Sequence, residues 1–132
     1  MKYKELTGQI IGAAIEVHRR LGPGYLESAY EEALCIELEH QHLCYERQKQ
    51  LPVHYRGKLI CEHRLDLVVE RLIIVELKAI SAIENIHFAV LRSYLKAAQL
   101  DHGLLLNFAS VSLTVKRVGR EQSARIIPDL QP

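Results

Sequence analysis

The 132-residue chain has no apolar run of about 18 residues, so no membrane-spanning helix is expected. Nor does it carry a surplus of either charge. A formal net charge of +1 is not that of a strong electrostatic binder of nucleic acid, and the global field would steer a polyanion little. Cysteine is scarce: Cys35, Cys44 and Cys61 are odd in number and lack metal-ligand spacing. Buried reduced thiols are therefore expected, rather than a disulfide framework or a thiolate metal site. Internal repeats, linkers and low-complexity stretches are absent too, which leaves residues 1–132 to form a single domain. The opening Met1-Lys2-Tyr3-Lys4-Glu5 leads into a polar helix and not into the apolar segment of a secretory leader, so a cytoplasmic protein is expected.

What is present is the composition of an ordinary globular domain, 48% apolar and 25% charged. A chain of this length buries roughly two-thirds of its unfolded surface. Its charge is uneven. The acids Glu5, Glu16, Glu27, Glu31, Glu32, Glu37 and Glu39 outnumber the bases in the first 40 residues, whereas Lys116, Arg117, Arg120 and Arg125 make the tail basic. A polyanion would have to approach a local basic face.

Residues 6–20 read as an amphipathic helix, with Ile10, Ala14, Val17 and Leu21 at helical spacing and Thr7 as its N-cap. Leu21-Gly22-Pro23-Gly24 breaks it. A second helix follows over 26–41, presenting Leu26, Tyr30, Ala33, Leu34 and Leu38, with Glu27 in its first turn, where the helix dipole favours a carboxylate. From Cys44 the period becomes two. Leu51, Val53 and Tyr55 alternate with Pro52 and His54, Arg56-Gly57-Lys58 turns the chain, and Leu59-Ile60 opens the next strand. Pro52 has no N–H for a ladder, which predicts an edge strand. A third strand ends at Ala79. Residues 84–100 return to helical period through Ile86, Ala89, Val90, Ser93, Tyr94 and Ala97. Leu104–Phe108 reads as a short buried strand and Val111–Val118 as a final alternating one; the tail beyond Ile127 is expected to be loose. The order ααβββαββ, with a helix between the third and fourth strands, predicts an α/β fold: a mixed sheet flanked by helices.

Within Arg64–Ala79, two apolar strands joined at Glu70-Arg71 are interrupted by Asp66, Glu76 and Lys78. Alternate residues of a strand share a face, so Glu76 and Lys78 point together while Val75 and Leu77 point away. A hairpin about the turn would bring Asp66 beside Glu76. Charges in such surroundings are costly unless paired or bound to a metal. Two carboxylates offer hard oxygen ligands for Mg²⁺ or Mn²⁺, and an ammonium could stabilise charge at a phosphate or help activate a water. That set suffices for metal-dependent phosphodiester hydrolysis. An ion-paired strand end is the other reading, and spacing alone does not choose between them.

Asp66 followed by Glu76-Leu77-Lys78 resembles the pattern of the PD-(D/E)XK nuclease superfamily, and Gly24-Tyr25-Leu26-Glu27-Ser28-Ala29-Tyr30 matches the motif that names its GxxExxY family. The likeness continues through Leu21-Gly22-Pro23-Gly24, Tyr94-Leu95-Lys96 and Leu104-Leu105-Leu106-Asn107-Phe108, and spans about Ile10 to Val118. It implies a restriction-endonuclease-like core with Mg²⁺ (or Mn²⁺) on Asp66, Glu76 and the backbone carbonyl of Leu77. Lys78 would be the catalytic lysine and Glu27 a further acid near the metal. One position departs from the family: the helix after the Glu-x-Lys strand usually reads His-Glu-Ala-Gln, and here it reads His87-Phe88-Ala89-Val90. The missing amide, one turn before Tyr94, would have faced substrate, and an apolar Phe88 is suited to meeting a partner subunit.

Substrate contacts are expected from Tyr94, from Lys96 and Arg92 one turn apart, and from His87, each with a plainer alternative: core, solvated helix face or helix cap. The other histidines show no ligand spacing. The expected function is a Mg²⁺-dependent nuclease acting on nucleic acid, DNA ahead of RNA, with a homodimer able to cut two strands. The alternative is a non-catalytic module that keeps the fold to bind nucleic acid or protein.

Overall fold

The computed structural model describes residues 2–120, with side chains from Tyr3 onward. The expected loose tail beyond Ile127 lies outside the described residues. The elements follow the expected order: α1 (Lys2–Leu21), α2 (Glu27–His40), β1 (Tyr45–Tyr55), β2 (Lys58–Val69), β3 (Ile73–Lys78), α3 (Asn85–Ala98), β4 (His102–Asn107) and β5 (Thr114–Gly119). The strands form one sheet in the order β1-β2-β3-β4-β5. All neighbours are antiparallel except β3 and β4, which run parallel because α3 carries the chain back between them. Pro52 lies on β1, an edge strand, as its missing N–H requires.

Two cores sandwich the sheet. On one face Ile10, Ala14 and Val17 of α1 and Tyr30, Leu34 and Leu38 of α2 pack on Leu67, Val69, Ile73, Val75, Leu77, Leu104 and Leu106. On the other, Leu91 and Leu95 of α3 pack on Leu65, Val68, Ile74, Leu105 and Val118. β3 therefore alternates as expected. Ile74 marks the α3 face, and Glu76 and Lys78 follow it there.

Several local expectations need correction. α1 begins a turn earlier than expected, because Leu6 extends the buried stripe of Ile10. Thr7 is thus not a cap. Its hydroxyl donates back to the Lys4 carbonyl (3.1 Å), a bond that lets threonine sit inside a helix, and accepts from Arg117 Nη1 (2.6 Å). Leu26 precedes α2 and is 79% exposed. The buried face of α3 is Leu91 and Leu95, with Phe88, Tyr94 and Ala98 beside them, while Ile86 and Val90 look outward. Phe88 thus packs within this subunit. β5 starts at Thr114 and not at Val111, which is 89% exposed in the preceding loop. Of the cysteines only Cys35 is buried; Cys44 and Cys61 are exposed free thiols.

The turns carry their own chemistry. Arg56 (φ 50°) and Gly57 (φ 82°) give the β1–β2 hairpin the two left-handed residues that suit a twisted two-residue loop. Glu70 (φ 53°) and Arg71 (φ 58°) do the same between β2 and β3 without glycine. There the Glu70 N–H donates to the Cys44 carbonyl (2.9 Å) and its carboxylate accepts from the Cys44 N–H (2.6 Å), which offsets the strain.

Candidate active site

Pairing between β2 and β3 stops at Leu67–Val75, although both strands continue. Where they part, backbone N–H groups lose their ladder partners, and two carboxylates replace them. Asp66 Oδ2 accepts from the Leu77 N–H (3.0 Å) and Glu76 Oε2 accepts from the Asp66 N–H (3.0 Å). The two acids that sequence spacing places on neighbouring strands are therefore locked together reciprocally, with one oxygen of each committed to the backbone.

A distortion on the other side of β2 accompanies this separation. Gln48 of β1 takes φ 50° and is skipped in the β1–β2 register, as is Asp66 opposite it. Alternation inverts across that point on both strands. Arg47, Leu67 and Val69 look toward α2, whereas Leu51 and Leu65, of the same parity, pack under α3. The buried Glu31 of α2 holds the distortion from outside, accepting from Gln48 Nε2 (2.9 Å) and Arg47 Nε (3.1 Å). Glu31 and Gln48 were not legible as site supports; the only signal was an acid on the apolar face of a helix.

Glu76 is 6% exposed. Burial first, and then the neighbouring Asp66 carboxyl, push its acid up to about 8, against smaller opposing pulls from the Asp66 N–H bond and then from Lys78. At neutral pH Glu76 thus holds a proton where a dication could sit. Lys78, half-buried, shares the face of Glu76 and forms no ion pair among the described residues. Its carbonyl accepts from the Phe108 N–H (2.9 Å), which ties the end of β3 to the end of β4. Beside it Asn107, 2% exposed, clamps the outgoing loop: Nδ2 donates to the Ile80 carbonyl (2.9 Å), and Oδ1 accepts from the N–H groups of Ile80 (3.1 Å) and Ala109 (3.2 Å). A lone amide ending the apolar run Leu104–Leu106 was the sequence signal for that clamp.

Tyr94 of α3 joins the acids, its hydroxyl pushed up by burial and then by the charges of Glu76 and Asp66. Its ring lies 4.6 Å from that of His63 on β2. Arg92 and Lys96 stand on the adjoining flank of α3 and line a cleft against β1 and β2. His87 stands apart: its Nδ1 accepts from the Glu84 N–H (2.8 Å), so it caps its own helix. Glu27 is the exposed first residue of α2, and no group of three His, Cys, Asp or Glu side chains gathers among the described residues. The structure thus brings together Asp66, Glu76, Lys78 and Tyr94, and does not bring in a third acid. Tyr30, one turn beyond Glu27, is the residue of that motif turned inward. It stacks on Phe108 (4.5 Å between centroids), donates to the Gly22 carbonyl (2.6 Å) and accepts from the Tyr25 N–H (3.1 Å). Gly22 (φ 69°) and Gly24 (φ 116°) supply the left-handed turn that this staple closes.

A dication fits this donor set. Mg²⁺ typically takes one or two protein carboxylates and keeps several waters for the remaining positions, so two carboxylates with lone pairs to spare are enough. A family model described as the PD-(D/E)XK nuclease superfamily matches residues 4–118, and the chain belongs to that superfamily. Among solved structures, one described as "Crystal structure of SSO0001" superposes with a TM-score of 0.56 at 16% identity, covering 70% of this chain and 48% of that one. The chain therefore spans about half the length of that protein, and the likeness is one of fold. No curated protein matches.

Proposed function

We propose that this domain is a Mg²⁺-dependent nuclease of the GxxExxY family that hydrolyses nucleic-acid phosphodiester bonds, with Mn²⁺ able to replace Mg²⁺. The observation that carries the reading is the reciprocal locking of Asp66 and Glu76 where β2 and β3 separate, with Lys78 on the same face. Asp66 and Glu76 would hold the metal, together with the Leu77 carbonyl between Glu76 and Lys78. The bound dication supplies a Lewis acid for the phosphate and for an attacking water. Lys78, on the face of Glu76, would supply an ammonium to stabilise the charge that develops on the phosphate. Tyr94 borders the acids and helps position the substrate. Glu27, exposed at the start of α2, receives no ligand role. Family membership is supported by the Gly24–Tyr30 segment, whose glycine and tyrosine build the turn before α2.

Cleavage of labelled DNA and RNA, single- and double-stranded, in Mg²⁺ or Mn²⁺ tests the reading. Lys78→Ala is expected to lower turnover roughly 10²- to 10³-fold, as when one preorganised charge-stabilising donor is lost. Undiminished cleavage by Lys78→Ala or Glu76→Ala would refute the assigned roles. Metal binding without turnover on any substrate would mark a binding module that keeps the nuclease fold.

A further inference from the structure

An open cleft of about 650 Å³ runs between the β1–β2 hairpin and α3. Arg92 and Lys96 stand on one wall, Pro52, Val53, His54 and His63 on the other, and no Asp or Glu lines it. Neither Arg92 nor Lys96 has an ion-pair partner among the described residues. In a chain of net charge +1, such an uncompensated pair in a concave site is a local anion-binding feature. The cleft leads to the acids through aromatic rings. His63 belongs both to its lining and to the tilted stack with Tyr94, and Tyr94 feels the charges of Glu76 and Asp66.

We infer that this cleft is the track for one nucleic-acid strand and not for a duplex, so that the substrate reaches the acids as a single strand. The inference takes its substrate class from the nuclease reading. Pockets of about 300–1,000 Å³ enclose one drug-sized ligand, so this cleft accommodates one or two nucleotides and not two paired strands. Its chemistry suits a strand as well: cations for the phosphates, and imidazole rings at His54 and His63 on which an unpaired base can stack. A duplex held on the surface would require an extended basic face, and the hairpin wall of this cleft contributes only two histidines.

Fluorescence anisotropy decides this, with labelled dT12, U12 and a 12-base-pair duplex in EDTA, where no cleavage can occur. The expected result is tighter binding of both single strands than of the duplex. The log-affinity against log-salt slope should lie near about −1.4, for two phosphates at about −0.7 each. Arg92→Ala and Lys96→Ala should each weaken strand binding roughly tenfold and flatten the slope. Both positions are on the helix surface, and matching thermal melts would show intact folding. Lys116→Ala, on β5 at the opposite sheet edge, should change nothing. Equal or tighter duplex binding, or unchanged strand affinity in the double variant, would overturn the inference. Because the assay contains no metal, strand binding that survives a failed cleavage assay would refute the catalytic reading alone.

Discussion

Glu76 combines two costs in one residue, burial and a facing carboxyl. Its acid, ordinarily near 4.5, stands at about 8 in the folded chain. A folded-state value raised above the unfolded one means that the fold binds the proton more tightly, so stability is full below about 4.5 and is lost as pH rises through about 8. The metal-free protein should therefore melt at progressively lower temperature between pH 5 and pH 9, and Glu76→Gln should remove most of that slope. A pH-independent melting temperature in the wild type would contradict it. The presence of Glu76 and Asp66 was legible in the sequence, since each interrupts an apolar strand with a charge. Their reciprocal capping of backbone N–H groups was not. It exists only because pairing stops at Leu67–Val75, and nothing in a period-two pattern marks where two strands part.

At the scale of elements, the site is made by two strands that part from each other while each stays paired on its other side, and by one helix pressing on them. Gln48 and Asp66 are left unpaired at one position of an otherwise unshifted register, Glu31 secures that distortion from α2, and alternation inverts beyond it. Inversion sends Leu65 and His63 toward α3, so the wall of the cleft and the acid pair arise from one distortion. The parity of Leu65 and Leu67 would have put them on one face, which is why sequence periodicity missed it. The phase of α3 was misread for a related reason. Ile86 and Val90 are as apolar as Leu91 and Leu95, but the second pair meets β4, where Gly103 leaves room. A Cβ at position 103 would lie 3.1 Å from Leu91 Cδ1 and Cδ2. Gly103→Ala should accordingly destabilise the protein by about 1–3 kcal/mol through overpacking, read from the midpoint of urea unfolding. An unchanged midpoint would show that α3 can shift freely on the sheet.

Over the whole molecule, element order, edge position and the parallel β3–β4 pair were legible because each follows from one strong local signal: a break at Gly22–Gly24, a proline in β1, a helix between two apolar strands. Glu27, the third acid expected from the family motif, stands exposed at the start of α2, while Tyr30 of the same motif turns inward. Two apolar cores cover both faces of the sheet, and the paired carboxyls lie where β2 and β3 diverge. Titration calorimetry with Mn²⁺ at neutral pH, in buffers of differing ionisation enthalpy, tests that convergence most directly. One site is expected, with release of close to one proton as the cation displaces it from Glu76, and binding should vanish in Asp66→Asn and in Glu76→Gln. No binding by the wild type, or binding untouched by either substitution, would contradict a metal centre at this strand end.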